Sequence, residues 1–186
     1  MESTVVASPM IKVAAICGSI RKASSNRGLL RSAIEICEES VKGMQIELID
    51  VSSLPMINTD LEVDGRFPLA VEAFRQKVLI LLFAMLAPLK NAIDWASRPP
   101  NVWAGKAAAV VSSAGGSGGR RVQNHLRQIG VFVDLHFINK PEFNLNGHEP
   151  PKKFDRDGNL NDPETKEKLK DVLQALHGFT LRLQGR

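Results

Sequence analysis

The sequence contains no tyrosine and few other aromatic residues, which argues against one class of function. Phenylalanine and tryptophan together make up 5% of the 186 residues. The formal net charge is +4 and the pI is near 9.2, but lysine and arginine are dispersed along the chain. Proteins that bind single-stranded nucleic acid combine clustered cations with aromatic rings on which bases stack. We therefore expect no nucleic-acid partner, and the mild positive charge would instead attract small polyanionic ligands.

Cysteine and long apolar runs are also scarce. Cys17 and Cys37 have neither metal-binding nor redox spacing, so we expect both to be buried thiols. No apolar run approaches the roughly 20 residues that span a bilayer, and residues 1–10 lack the pattern of a signal peptide. We therefore predict a soluble, cytoplasmic protein with a short extension over residues 1–10 and a single domain over residues 11–186.

Several catalytic and nucleotide-binding motifs are missing. The sequence has no G-x-x-x-x-G-K-[ST], no G-x-G-x-x-G and no G-x-S-x-G, which argues against a P-loop ATPase, a dinucleotide fingerprint and a serine hydrolase. The four histidines show no paired metal-ligand spacing. We predict neither a catalytic side chain nor a metal site.

Apolar patterning alternates between strands and helices along the chain. Buried-strand or edge-strand patterns occupy five segments: residues 11–17, 44–50, 80–84, 106–112 and 131–135. Helical patterns occupy five others: residues 28–41, 69–79, 89–96, 121–129 and 163–183. This alternation predicts an α/β fold with a doubly wound, five-stranded parallel sheet in the order 2-1-3-4-5 and helices on both faces.

One junction between these segments is abnormal. Leu79 and Ile80 are adjacent, with no turn residue between the second helix and the third strand. A helix-to-strand connection normally takes about two to six residues. Either the two elements are bounded differently, or the chain lacks residues at this point.

Two strand-to-helix loops have unusual chemistry. The first, residues 18–27, combines hydroxyls, backbone amides and cations, and the fourth, residues 112–119, is rich in glycine. A helix N-terminus with such donors suits a phosphate, and glycines allow a flat ring to approach the backbone. In the predicted sheet both loops lie at the carboxyl edge, where ligands bind. Each loop taken alone also has a simpler interpretation. For the first it is an ordinary capped loop, and for the fourth it is a flexible surface loop.

Three motifs together resemble those of the NADPH-dependent FMN reductase family, and within it the plant NAD(P)H:quinone oxidoreductases. The similarity covers about residue 11 through the closing helix. The motifs occur in the same order as in the family: Gly18-Ser19-x-Arg21-x-x-Ser24-x-Asn26, Leu89-Lys90-Asn91-Ala92-Ile93-Asp94-Trp95 and His125-Leu126-Arg127-Gln128.

This resemblance implies a flavodoxin-like fold, bound FMN, NADPH or NADH as electron donor, a quinone as acceptor and a homotetramer built from dimers. By position, it implies phosphate contacts from one set of residues: Ser19, Arg21, Ser24 and Asn26. A second set would lie along the isoalloxazine ring: Ser113, Gly115 and Gly116. The flavin would carry the chemistry, with two electrons delivered to the quinone in a ping-pong order.

The chain departs from the family at one place. The family normally has a Ser/Thr-Pro-Glu-Tyr-Asn segment between the third strand and the Leu-Lys-Asn helix, but this chain passes from Ala84 directly to Met85-Leu86-Ala87-Pro88. The lack of tyrosine agrees with the loss of that segment.

Two other functions fit the same fold. A flavodoxin-like electron carrier would serve a protein partner without NAD(P)H turnover, but such carriers usually have an acidic docking face and this chain is net basic. The other alternative is a binding module without flavin. It applies if the protein truly lacks the Ser/Thr-Pro-Glu-Tyr-Asn segment.

Overall fold

A parallel sheet with helices on both faces forms the core of the computed structural model, which describes residues 10–78, 80–84 and 87–185. In chain order its strands are β1 Ile11–Cys17, β2 Met44–Ile49, β3 Ile80–Ala84, β4 Lys106–Ala114, β5 Leu135–Phe137 and β6 Phe143–Asn146. Its α-helices are α1 Ser25–Ser40, α2 Leu69–Gln76, α3 Ala87–Ser97, α4 Arg120–Phe132 and α5 Pro163–Leu183.

The strand order confirms the prediction, with one addition. The sheet runs β2-β1-β3-β4-β5, and all strand pairs in it are parallel. A sixth strand, β6, also pairs with β4, so the predicted count of five strands was wrong. Lys106 of β4 pairs with Leu135 of β5, whereas Val111 of β4 pairs with Phe143 of β6. Two short strands thus share the fifth position of the sheet.

The sheet has an apolar layer on each face. One layer joins it to α1 and α5, and the other joins it to α2, α3 and α4. Trp95 and Trp103 are fully buried in the second layer. Cys17 and Cys37 are both buried free thiols, as predicted. The strands therefore carry apolar side chains on both faces, as central parallel strands do.

Helix α1 begins earlier than predicted. Ser24 is its N-cap, with extended backbone at φ −74° and ψ 127°, so Asn26 lies in the first turn and not in the loop. The first turn of α1 was not predicted because residues 25–27 are polar, and serine and asparagine also favour loops.

Helix α2 ends at Gln76, three residues before its predicted end. Lys77 and Val78 form the connection to β3, and the buried side chain of Val78 continues the apolar pattern without being helical. The different helix end therefore explains part of the abnormal junction. Leu79 lies outside the described residues, as do Met85-Leu86 and most of the predicted extension over residues 1–10.

The fifth strand was placed four residues too early. Val131 and Phe132 belong to the last turn of α4, where they are 82% and 85% exposed, and β5 starts only at Leu135. Their β-branched and aromatic side chains gave a strand pattern. Asp134, at φ 59°, makes the turn that separates the helix from the strand.

Helix α5 begins at Pro163, as predicted, and Asp162 is its N-cap. Asp162 accepts a hydrogen bond from the main-chain N–H of Thr165 at 2.8 Å. Among the described residues, no helix is both long and apolar enough to cross a membrane.

Candidate functional site

The loop between β1 and α1 presents hydrogen-bond donors at the carboxyl edge of the sheet. Ser19 and Ser24 are buried, and the hydroxyl of Ser24 makes no capping bond to the helix. Arg21 is exposed beside them. The first main-chain amides of a helix lack internal partners and carry partial positive charge. The loop therefore offers hydrogen-bond donors and a positive charge of the kind that suits an anion.

Asn26 joins this loop to the end of β4. Its Nδ2 donates to the carbonyl oxygen of Ser113 at 3.0 Å, and its Oδ1 accepts from the main-chain N–H of Ser113 at 2.9 Å. The neighbouring strand β3 pairs with β4 only as far as the pair Ala84 and Val111. Beyond this last described pair, Asn26 bonds both main-chain groups of Ser113. A phosphate contact from this amide stays a prediction.

Ser113 lies within β4 and not in the glycine-rich loop, where the sequence placed it. The strand continues to Ala114 because β6 pairs with it there, with Ser113 opposite Leu145. The Oγ of Ser113 is buried without a hydrogen-bond partner, and a Cβ on Gly147 would lie 2.3 Å from it. The close packing at Gly147 encloses this hydroxyl, and both main-chain groups of Ser113 are bonded to Asn26. A contact between Ser113 and the isoalloxazine ring therefore stays a prediction.

The glycine-rich loop after β4 exposes its backbone. Gly115 and Gly116 are exposed, and Gly116 has a positive φ of 56° with open space around its Cα. Gly118, at φ 64°, packs against the main chain of Leu145, where a Cβ would approach within 2.6 Å. The loop therefore has a fixed base and an open tip that a flat ring could approach.

A buried polar network fixes the base of this loop. Ser112 donates its hydroxyl hydrogen to the carbonyl oxygen of Gly118 at 2.5 Å. Gln123 Nε2 donates to Ser112 Oγ and to the carbonyl oxygen of Phe143, each at 2.8 Å. One glutamine on α4 thereby connects β4, β6 and the loop. Nothing in the sequence indicated this role, because a single buried glutamine in an amphipathic helix has no distinctive pattern.

The segment between β6 and α5 also reaches the site, and the sequence analysis missed it. His148 lies against the glycine-rich loop, with its Cδ2 3.5 Å from the position of a Cβ on Gly115. Further along, the carbonyl oxygen of Gly158 packs against α1, only 1.8 Å from where a Cβ on Gly28 would stand. These contacts join residues far apart in sequence, so no local motif could have revealed them.

Cys17, at the end of β1, is part of the base of the site. Its Sγ accepts a hydrogen bond from the main-chain N–H of Ser19 at 3.4 Å. Burial raises the pKa of this thiol. The group therefore stays protonated and poorly nucleophilic near neutral pH.

The connection after β3 is short. β3 ends at Ala84 and α3 begins at Ala87, which leaves two residues between them. The carbonyl oxygen of Ala84 accepts from the main-chain N–H of Gly18 at 2.7 Å, so the ends of β1 and β3 are joined directly.

A doubly wound sheet whose first loop offers donors at a helix N-terminus and whose fourth loop exposes glycines is typical of proteins that bind a phosphorylated ligand at the carboxyl edge. The family model for NADPH-dependent FMN reductase matches residues 11–79 and 83–149. The chain therefore belongs to the NADPH-dependent FMN reductase family.

Known relatives agree with this assignment. An NADPH:quinone oxidoreductase of Arabidopsis thaliana is 62% identical, with all of both chains covered. An NAD(P)H:quinone oxidoreductase of Solanum tuberosum is 60% identical over 97% of this chain and 98% of its own length. A solved structure, the flavoenzyme NAD(P)H:(acceptor) oxidoreductase of Paracoccus denitrificans, superimposes with a TM-score of 0.79 at 26% identity, covering 93% of this chain and 98% of its own.

The alignment with the Arabidopsis relative also bears on the departure from the family pattern. It extends over 196 positions although this chain has 186 residues, so it contains positions that this chain lacks. The short connection after β3 agrees with a deletion there.

The residues present fit FMN, the cofactor of this family. The first loop offers the hydroxyl of Ser24, free of any capping bond, and the exposed guanidinium of Arg21 for a phosphate. The fourth loop offers the exposed backbone of Gly115 and Gly116 for a ring. The bonds between Asn26 and Ser113 hold the two loops at one edge of the sheet.

Proposed function

We propose that this protein is an FMN-dependent NAD(P)H:quinone oxidoreductase. The observation that carries the proposal is the pair of hydrogen bonds between Asn26 and Ser113, which joins the anion-binding loop to the strand that bears the exposed glycines. Family membership and the names of the two plant relatives support the choice of NAD(P)H as donor and a quinone as acceptor.

The overall reaction balances as NAD(P)H, one proton and a quinone giving NAD(P)⁺ and a hydroquinone. Bound FMN would supply the chemistry of two-electron transfer between the nicotinamide and the quinone. The order is ping-pong: NAD(P)H binds first and leaves as NAD(P)⁺ before the quinone enters the same place. We propose that the reaction protects the cell from quinone toxicity and oxidative stress.

The protein's own residues bind and orient. Ser19, Ser24 and Arg21 hold the phosphate together with the first amides of α1. Gly115 and Gly116 lie along the ring, and their main-chain N–H groups donate to its polar edge. Ser113 lies beside the ring at the end of β4, where Asn26 fixes the position of its main chain. No side chain is required as a nucleophile or as a metal ligand.

We place this function in one FMN-binding domain over residues 11–186, in the cytoplasm, within a homotetramer built from dimers. The end of α4 gives such an assembly apolar surface, since Val131 and Phe132 are largely exposed. Light scattering of the purified protein measures the assembly directly, and a monomer at micromolar concentration would contradict the tetramer.

The first experiment is the absorbance spectrum of the purified protein after incubation with FMN and desalting. Retained FMN gives bands at about 370 and 450 nm that bleach with NADPH under anaerobic conditions and return with a benzoquinone. Bleaching without recovery by quinone would favour the electron carrier. A protein that stays colourless would overturn the proposal, and the deletion after β3 would explain the loss.

Substitution of Arg21 tests the phosphate-binding loop. Arg21→Ala should weaken FMN binding about tenfold or more, because it removes a charge-assisted hydrogen bond to the phosphate. Riboflavin, which has no phosphate, should bind both forms equally. Equal FMN affinity in the variant and the wild type would refute the role of this arginine.

A further inference from the structure

A cavity of about 290 Å³ lies between the first loop and the segment that links β6 to α5. Arg21 and Ser25 line it from the side of α1, and His148 and Lys152 line it from the other side. None of the three family motifs includes His148 or Lys152. The cavity therefore adds a second wall, and two basic side chains, to a loop that already offers donors for an anion.

The cations of this cavity are free to bind a ligand. Arg21 and Lys152 are both exposed, and neither forms an ion pair with any carboxylate of the described residues. Two positive charges in one small cavity repel each other, and a bound anion relieves that repulsion.

The carboxylate that lines the cavity is occupied elsewhere. Asp155 Oδ1 accepts from the main-chain N–H groups of Asp157 and Asn159 at 2.9 and 2.8 Å, and Oδ2 accepts from Asn159 Nδ2 at 2.9 Å. These bonds, foremost the one from the Asn159 main chain, hold the pKa of Asp155 below its usual value. Asp155 thus closes its own turn and does not neutralise Arg21 or Lys152 by contact.

The second wall is held in place on the first loop. Gly158 packs against Gly28 and against the main chain of Ala23, so closely that a side chain on either glycine would clash. Arg31 of α1 donates to the carbonyl oxygen of Asp157 at 3.3 Å and to Asn159 Oδ1 at 2.8 Å. These contacts join one end of the second wall, the turn at residues 157–159, to the first loop and α1.

We infer that this cavity is a phosphate subsite in which Lys152, assisted by His148, binds a phosphomonoester together with Arg21. The inference rests on the proposed function, which supplies two ligands of that chemistry: the 5′-phosphate of FMN and the 2′-phosphate that distinguishes NADPH from NADH. A lysine is suited to this task as a mobile point charge on a rigid wall.

The test compares Lys152→Gln with Lys42→Gln. Both variants remove one exposed lysine charge, but Lys42 lies in the turn between α1 and β2, at the opposite edge of the sheet. Dissociation constants for FMN and riboflavin come from flavin fluorescence, and KM values for NADPH and NADH come from steady-state rates. Lys152→Arg serves as the conservative variant that should restore binding.

If the subsite takes the FMN phosphate, Lys152→Gln should weaken FMN binding roughly three- to tenfold and leave riboflavin binding unchanged. If it takes the NADPH phosphate, the KM for NADPH should rise by a similar factor of roughly three to ten, with the KM for NADH unchanged. In either case added salt should weaken binding less in the variant than in the wild type.

The inference is overturned if Lys152→Gln matches Lys42→Gln in all four constants while the wild type binds FMN. If the wild type itself binds no FMN, both the proposed function and the phosphate subsite are refuted. The wild-type measurement therefore separates the two failures.

Discussion

Asn26 shows how one side chain can complete a sheet. Strand β4 extends beyond the end of β3, and the amide of Asn26 pairs with both main-chain groups of Ser113 there. Main-chain groups left unpaired in a buried position cost more than the hydrogen bond itself contributes. The motif residue that the family resemblance assigns to phosphate therefore has a structural task in this chain as well.

Asn26→Ala should lower the free energy of unfolding by about 1–3 kcal/mol, because it leaves the N–H and C=O of Ser113 without partners. Urea denaturation of the FMN-free protein measures this independently of the cofactor. Asn124→Ala, an exposed asparagine on α4, is the matched control and should change stability by less than about 0.5 kcal/mol. Equal stability of the two variants would show that the pairing contributes nothing.

At the scale of elements, the turn before α5 supports the beginning of α1. The carbonyl oxygen of Gly158 occupies the space that a side chain on residue 28 would need, and Arg31 bonds to the same turn. Glycine at 28 thus costs helix propensity but allows this close approach. Two elements that are distant in sequence are held together beside the site in this way.

Gly28→Ala should force the turn and the helix apart and destabilise the protein by about 1–3 kcal/mol, as overpacking does. FMN affinity should fall with it, because the first loop is anchored by the same contact. Gly178→Ala is the control: this glycine is helical in α5, and a Cβ on it would meet no atom within 4 Å, so the change should stabilise the protein by about 0.5–1 kcal/mol. A Gly28→Ala protein as stable as wild type would contradict the close packing.

The N-cap of α5 gives the protein a pH-dependent contribution to stability. Hydrogen bonds from the Thr165 side chain and main chain, with Lys153 nearby, lower the pKa of Asp162. A lowered folded-state pKa means that the contribution is present above the unfolded-state value of about 3.9 and is lost as the pH falls through the folded value. The change of stability with pH therefore occurs in acid solution, and the contribution is constant over the physiological range.

Asp162→Asn keeps a capping oxygen but cannot titrate. The wild type should therefore be more stable than this variant at neutral pH, and the difference in melting temperature should shrink as the pH falls below about 4. Thermal unfolding at a series of pH values measures the difference. A gap that stays constant down to the lowest pH would show that the Asp162 charge makes no contribution.

At the scale of the whole molecule, the ligand site draws on all three thirds of the chain, through the first loop, the glycine-rich loop and the segment between β6 and α5. A ligand that binds only the folded form stabilises it in proportion to the logarithm of its concentration. FMN at 100 times its dissociation constant should add about 2.7 kcal/mol, or about 5–10 °C in melting temperature for a protein of this size. Riboflavin at the same concentration should add less. Thermal unfolding that is unaffected by FMN would contradict binding to the folded protein.

The strand order could be predicted because alternating apolar patterns leave few parallel arrangements. Prediction failed where tertiary contacts decide the outcome. Val131 and Phe132 have strand-forming side chains but end a helix, and β6 extends β4 through a short, partly polar segment without a strong strand pattern. Ser113 was assigned to a loop because the partners of this end of β4, which are Asn26 and β6, are remote from it in sequence. Contacts between positions 87 or more apart have no local signal.

The contact between Gly28 and Gly158 also orders events during synthesis of the chain. Translation makes the first loop early, but its second wall emerges only after more than a hundred further residues have been added. Closure of so long a loop cannot precede synthesis of its far end. A ribosome-bound chain that stops short of residue 158 should therefore capture FMN poorly, and loading of the cofactor becomes a late event that reports near-complete translation.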